Sequence, residues 1–440
     1  MSFSDVIKTG EEKRMKRIVF RWLILVFLFA AAAGATFAAG QTEEAGSAEA
    51  GGKLEIMSWW TTGGEVLGLE ALFDIYNQKY PNVEIVNAAV AGSKGVNARA
   101  VLATRMQGGD PPDSFQVLGG GALRNTWIVS DQLEPITSIY EDNNWLEVFP
   151  QQVVDQVSYK GEMYAVPVNI HRTNILWYNK PIFTKYNLDP PTSLDEFFET
   201  ADFLAAKGII PLAFGSKAAW EPIHLLESVI VSEIGPDGYR GLFNGATKWD
   251  SPEMVEVFQK YAKMLDYINS DHSGLTGADQ AQYVVDGKCA MCIMGDWIAG
   301  YYAAKNYVPH EDYEWATAPG TQGSYLMNCD TFVLPKGPIN RELVVAWLEV
   351  VGSREGQDAF NPKKGSIPAR VDADTSLYSE YHQGAMKDFS SDELLPSLAH
   401  GMAASDAWLQ DIGNVMTVFI VDKNVDSAIK QLATIAEDNL

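Results

Sequence analysis

The feature that most constrains this chain is an alternation that begins at Lys53. KLEIMSW has the short apolar pattern of a strand, and Val66, Leu69, Leu72, Phe73, Tyr76 and Tyr80 then recur at helical spacing until Pro81 stops them. VEIVNAAV follows as a second strand, which predicts a right-handed βαβ unit with parallel strands. The cycle repeats: VNARAVLATRMQGG reads as a helix, GDPPD as a turn, and SFQVL as a third strand closed by Gly119, Gly120 and Gly121. The expected class is therefore α/β. Ligands of open α/β sheets collect beyond the carboxyl ends of the strands, so Trp59, Trp60 and Glu65 after the first strand and Gln116 in the third point to one cleft. The pair in MSWWTTGGE has a further consequence. Successive strand side chains face opposite ways, so Trp59 and Trp60 cannot both enter one core by strand geometry.

At 440 residues the chain exceeds one comfortable hydrophobic core, and two domains, interleaved along the sequence, are expected. A second cycle follows YAVPVNIHRTNILWYNK. In PPTSLDEFFETADFLAAKG, Ser193 and Glu196 read as a capping box, Phe197 and Leu204 as a core face, and Gly208 as the stop. IIPLAFG is the next strand, helices are expected around 222–235 and 252–268, and VDGKCAMCIMGDW ends as a buried strand with an aromatic. TFVLPKG and the helix RELVVAWLEVVGS return to the first domain.

Residues 1–40 have the form of a secretory signal: KRMKRIVFRW is basic, an apolar run follows, and small residues suit cleavage after Ala38 or Gly40. A retained anchor is the alternative, and Met15 offers a more conventional start. Residues 41–52 read as a flexible acidic tether. The chain carries 57 acidic against 33 basic residues, and removing the basic leader leaves the remainder more acidic still. That balance excludes phosphate-backbone binding, so no nucleic-acid partner is expected. Cys289 and Cys292 stand three apart in an apolar strand, hence on opposite faces, and with Cys329 are expected as buried thiols rather than a disulfide or metal set. No cofactor, metal or catalytic group is expected; GGGALRN lacks the spacing of a dinucleotide loop.

LEIMSWW, GVNARAVLATRMQGGDPPDSFQV, SYKGEMYAVPVNIHRTNILWY, PPTSLDEF, IMGDWIAGY, APGTQG, LPKG, EGQDAFNPKKGSIPAR and SLAHGM together resemble the extracellular solute-binding proteins of ABC importers, in the sugar-binding group and most like its glucose/mannose-binding members. The resemblance covers nearly everything from Lys53. It implies a two-lobed periplasmic-binding-protein-like fold of type II, with the cleft between lobes joined by hinge crossings near Val166 to Ile170, Ala316 to Thr321 and Ser366 to Arg370. Residues 53–167 and 317–368 would form the N-terminal lobe, and 168–316 and 369–440 the C-terminal lobe. The implied protein is monomeric and extracytoplasmic, and its partners are a sugar and the transmembrane subunits of a permease.

A pyranose needs aromatic plates for its ring face and carboxylates, amides and cations for its hydroxyls. By the resemblance, Trp59 and Trp60 match a tryptophan pair, Glu65 a ligand-bonding glutamate if one residue is inserted in TTGGE, and Gln116 a cleft amide. Asn169 and His171 fall at a crossing, and Trp220 matches a family tryptophan. Asp296 and Trp297 end a buried strand; Asp296 has helix capping as its alternative. Asp330, Lys364 and His400 match positions that hydrogen-bond the sugar, with Trp408 a rim candidate. Leu118 departs from the pattern: glucose-binding relatives read FQVHAG where this chain reads FQVLGGG, which leaves the sugar open. A secreted glycosidase drawing two carboxyls from Glu65, Asp296 and Asp330, and a sugar sensor without a transport role, are the competing functions.

Overall fold

The computed structural model describes residues 51–92, 95–338 and 340–440; segment 1–40 and the tether up to residue 50 lie outside the described residues. Strand β1 (Gly52–Met57) pairs in parallel with β2 (Val83–Asn87) on one side and with β3 (Ser114–Leu118) on the other. The helices Gly63–Lys79 and Val96–Gln107 make the two crossovers. The parallel βαβαβ expectation therefore holds. A hairpin of β4 (Ser158–Tyr159) and β5 (Glu162–Met163) precedes β6 (Ala165–Pro167).

Beyond β6 the chain runs through the fully buried residues 168–170 into β7 (His171–Arg172) and β8 (Ile175–Asn179). With β9 (Ile210–Leu212), β10 (Cys289–Met294) and β11 (Tyr313–Thr317), β8 forms a four-stranded sheet in the order β11-β8-β10-β9. Strand β12 (Ser324–Asn328) joins β7 and β14 (Glu393–Pro396) in a third, smaller sheet. One residue later, β13 (Asp330–Val333) completes the first sheet, whose order is β2-β1-β3-β13-β6.

Strand direction decides where side chains gather. Because β13 is antiparallel to β3, with Asp330 opposite Leu118, it starts at the edge where β1 and β3 end. Trp59, Gln116 and Asp330 therefore share one sheet edge. In the second sheet β9 and β10 are parallel, so their carboxyl ends lead to Trp220 and Trp297 on a common edge, and the antiparallel β8 begins there, just after His171.

Two local expectations are refined and a third holds. Ser193 Oγ accepts the Glu196 N–H at 3.2 Å, but the Glu196 carboxylate reaches back to the Thr192 amide and hydroxyl, both at 2.7 Å, so the reciprocal half of the cap lies one residue further out. The helix expected over 222–235 spans Trp220–Asn244, broken at Gly235, whose φ of 67° is open to glycine, followed by Pro236. Cys289, Cys292 and Cys329 are buried free thiols, as expected, and burial pushes the Cys289 thiol up to about 12.

Candidate ligand-binding site

The two adjacent tryptophans divide their labour. Strand β1 stops at Met57, and the turn beyond it buries Trp60, at 1% exposure, against Phe332 and Phe360, while Trp59 stays half-buried. Both border a cavity of about 350 Å³. Glu65 reaches its wall from the first turn of the helix Gly63–Lys79, which packs so closely on the end of the helix Arg354–Lys364 that a Cβ at Gly64 would lie 2.3 Å from the Lys363 carbonyl. Gly64 is thus a requirement of helix contact, whereas Gly63 meets no neighbour and is set by its φ of 60°.

On the first sheet's edge, Asp330 is held at both oxygens. Gln116 Nε2 donates to Oδ1 at 2.7 Å and Asn169 Nδ2 to Oδ2 at 2.9 Å, while the Asp330 amide donates to Asn169 Oδ1 at 2.9 Å. Gln116 is itself fixed, since its Oε1 accepts the Trp59 N–H at 3.1 Å. Such a carboxylate is oriented before any ligand arrives.

Beside it runs a charged chain. Lys364 Nζ lies 3.6 Å from Glu65 Oε1 and donates to His171 Nε2 at 2.9 Å. An ammonium can only donate, so His171 Nε2 is the acceptor and the ring proton sits on Nδ1, which is bonded to Asp296 Oδ1. Asp296 Oδ2 also takes the Arg172 N–H at 2.9 Å, and burial pushes its carboxyl up to about 7 against the pull of that amide.

The opposite wall is aromatic. Half-buried Trp220 and Trp297 stand with ring centroids 6.3 Å apart, and His400 packs on both at 5.5 and 5.3 Å. Behind His400, Ser397 Oγ contacts its Nδ1 at 2.9 Å and both oxygens of Glu227, also at 2.9 Å. The hydroxyl has one proton; given to the carboxylate, it requires Nδ1–H on His400 and leaves Nε2 as the other ring position. Glu227 further accepts from Thr173 Oγ1 at 3.0 Å and the Ala399 amide at 3.1 Å, and burial still pushes it up to about 7. His224, Glu227 and His400 offer donor atoms within 4.8 Å of one another, a spacing compatible with a metal. The donors already filling the carboxylate make Glu227 a hydrogen-bond hub.

Ten of the twelve expected residues border the cavity: Trp59, Trp60, Glu65 and Gln116; His171, Trp220 and Trp297; Asp330, Lys364 and His400. Asn169 and Asp296, both fully buried, do not. They stand behind Asp330 and His171 because strand-following segments place them one layer deeper. The capping alternative for Asp296 also fails, since its side chain makes no cap bond to the helix Trp297–Ala304. Trp408 is no rim residue: it is buried, with its ring on Phe243.

The cavity has further lining residues that sequence reading missed: Arg99, Trp127, Asn328, Asp406 and Gln410. Arg99 shares a helix face with Val96 and Leu102 at three-residue spacing, and a charge on that apolar row was a readable signal. Asn328 sits two residues before Asp330, hence on the same side of an extended chain, and its buried Oδ1 has no hydrogen-bond partner among the described residues. Asp406, in the first turn after the Ser405 cap, looked like ordinary helix-start chemistry.

Strand edges from two α/β sheets that meet at one polar and aromatic cavity define a two-lobed binding receptor. The bacterial solute receptor AcbH, whose substrate preference is for β-D-galactopyranose, has this fold: the superposition gives a TM-score of 0.78 at 18% identity and covers 88% of this chain and 98% of that one. Residues 61–358 match the family model of the bacterial extracellular solute-binding proteins. An uncharacterized ABC transporter extracellular-binding protein of Pyrococcus horikoshii is 36% identical over 392 residues, 88% of each chain. A probable sugar-binding periplasmic protein of Brucella suis is 32% identical over 395 residues, 88% of this chain and 92% of its own. The chain belongs to the bacterial extracellular solute-binding protein family.

Proposed function

We propose that this protein is the extracytoplasmic sugar receptor of an ABC importer, which takes a neutral sugar into the cavity and delivers it to the permease's transmembrane subunits. A glucose- or mannose-like hexose, alone or in a short oligosaccharide, is the favoured ligand. The observation that carries this reading is the Asp330 carboxylate, locked by Gln116 and Asn169 beside Lys364, on a cavity walled by Trp59, Trp220 and Trp297. Rings of this kind cover a pyranose face, and an oriented carboxylate discriminates epimers because a misplaced hydroxyl leaves a polar atom unpaired.

The lobes proposed for this function are 53–167 with 317–368 and 168–316 with 369–440, closing on the sugar by hinge motion. Delivery follows removal of residues 1–40 at the membrane. No helix among the described residues is long and apolar enough to cross a membrane, which accords with a receptor that works outside it. A non-catalytic role is supported by the wiring of the carboxylates. Of the three acids that a glycosidase would draw on, Asp296 is sealed behind His171, and Asp330 is fixed in place by one amide donor on each oxygen.

Titration with a monosaccharide and oligosaccharide panel, read by tryptophan fluorescence and calorimetry, tests the function. At least one sugar binds with a spectral change, and Asp330→Ala weakens that binding by about 1–3 kcal/mol. A panel without any response overturns the reading, and an unaffected Asp330→Ala variant removes that residue from the site.

A further inference from the structure

Arg99 stands apart from every other described arginine. Arg105, Arg172, Arg240, Arg341, Arg354 and Arg370 each hold a carboxylate, and Arg124 donates to the Asp155 carbonyl. Among the described residues the Arg99 side chain has neither a hydrogen bond nor an ion pair, although it is half-buried and borders the cavity. Asp406, at the start of the helix Asp406–Asp422, borders the same cavity and lies near enough to act on its charge yet without forming an ion pair. Asp406's own hydrogen bond is from Thr126 Oγ1, at 3.1 Å, so neither residue is wired into the network around Asp330 and Lys364. Leu102, Leu118 and Leu409 supply apolar surface around them.

Taking the sugar-receptor function above as given, we propose that Arg99 and Asp406 form a second sugar subsite, and that the ligand is a neutral disaccharide or longer saccharide with one ring at Asp330 and the next between these two residues. A guanidinium only donates and a carboxylate only accepts, whereas a hydroxyl does both. Neighbouring hydroxyls of one ring, accepting from Arg99 and donating to Asp406, satisfy both groups and leave their charges balanced. A uronate would satisfy Arg99 but set its own charge against Asp406, so the arrangement favours a neutral ring. The volume agrees: about 350 Å³ falls in the range of pockets for drug-sized ligands, roughly 300–1,000 Å³, and a disaccharide is of that size.

The test is calorimetry on the full chain with common hexoses and pentoses, their disaccharides and glucuronate, for the wild type, Arg99→Met and Asp406→Asn. At least one disaccharide binds about tenfold or more tightly than its own monosaccharide, and both variants bring that ratio towards one, since each loses a charged hydrogen bond. Thermal melts check that both variants fold, and the second serves if the first does not. The proposal is overturned if no disaccharide gains over its monosaccharide, if both variants leave the ratio unchanged, or if glucuronate binds more tightly than the neutral rings. Monosaccharide binding without a disaccharide gain sinks this subsite alone; a panel with no binding sinks the sugar-receptor function with it.

Discussion

At the scale of single residues, Trp59 and Trp60 carry different duties despite standing side by side. Trp60 is core, wedged between Phe332 and Phe360 with the Lys364 ammonium 5.8 Å over its ring, and its truncation should cost about 3–5 kcal/mol of folding stability. Trp59 is half-buried at the cavity, so Trp59→Ala should leave the urea midpoint nearly in place while weakening sugar binding by about 0.5–1.5 kcal/mol, the size of an aromatic contact. Paired denaturation and calorimetry separate the two, and a reversed pattern would show that the rings had been assigned the wrong way round. That the pair must split was legible in the sequence. Which ring turns inward depends on where the backbone leaves β1, and that is set by β13 and the helix Arg354–Lys364 packing over it.

At the scale of elements, the site depends on one close helix contact. The helices Gly63–Lys79 and Arg354–Lys364 deliver Glu65 and Lys364 to each other, and Gly64 is the point of nearest approach. Gly64→Ala forces its Cβ against a backbone carbonyl that has no rotamer to escape by, so the helices must separate. A loss of about 1–3 kcal/mol of stability is expected in urea titration, together with weaker sugar binding as Lys364 shifts. A variant as stable as the wild type would mean that the contact yields. The sequence announced the helix Gly63–Lys79 through its apolar spacing, whereas no expectation covered the helix Arg354–Lys364. It could not announce the contact, because the two partners lie some three hundred residues apart.

At the scale of the whole molecule, buried carboxyls tie distant segments together and give stability a pH dependence. Glu227 joins Thr173 and Ser397, and burial raises its folded pKa to about 7, above the ordinary glutamate value of about 4.3. The folded state therefore keeps a proton that the unfolded chain has released. This contribution is present below pH about 4.3 and is lost as the pH rises to about 7, at up to about 1.4 kcal/mol per unit. Glu227→Gln should flatten that part of the stability curve. Chemical denaturation at pH 5, 6 and 7 measures it; parallel curves for the two proteins would show that Glu227 titrates normally.

The sequence by itself determined the βαβ order, the strands whose ends carry ligand chemistry, the buried thiols, and most of the residues around the cavity. These are properties of local periodicity and of residue type at strand ends. Tertiary structure decided which polar groups meet the cavity and which stand behind it. Asn169 and Asp296 became supports for Asp330 and His171, while Arg99 and Asp406 came to border the same cavity. A side chain's depth and partner depend on how sheets and helices distant in sequence pack together, and spacing along a chain does not encode that distance.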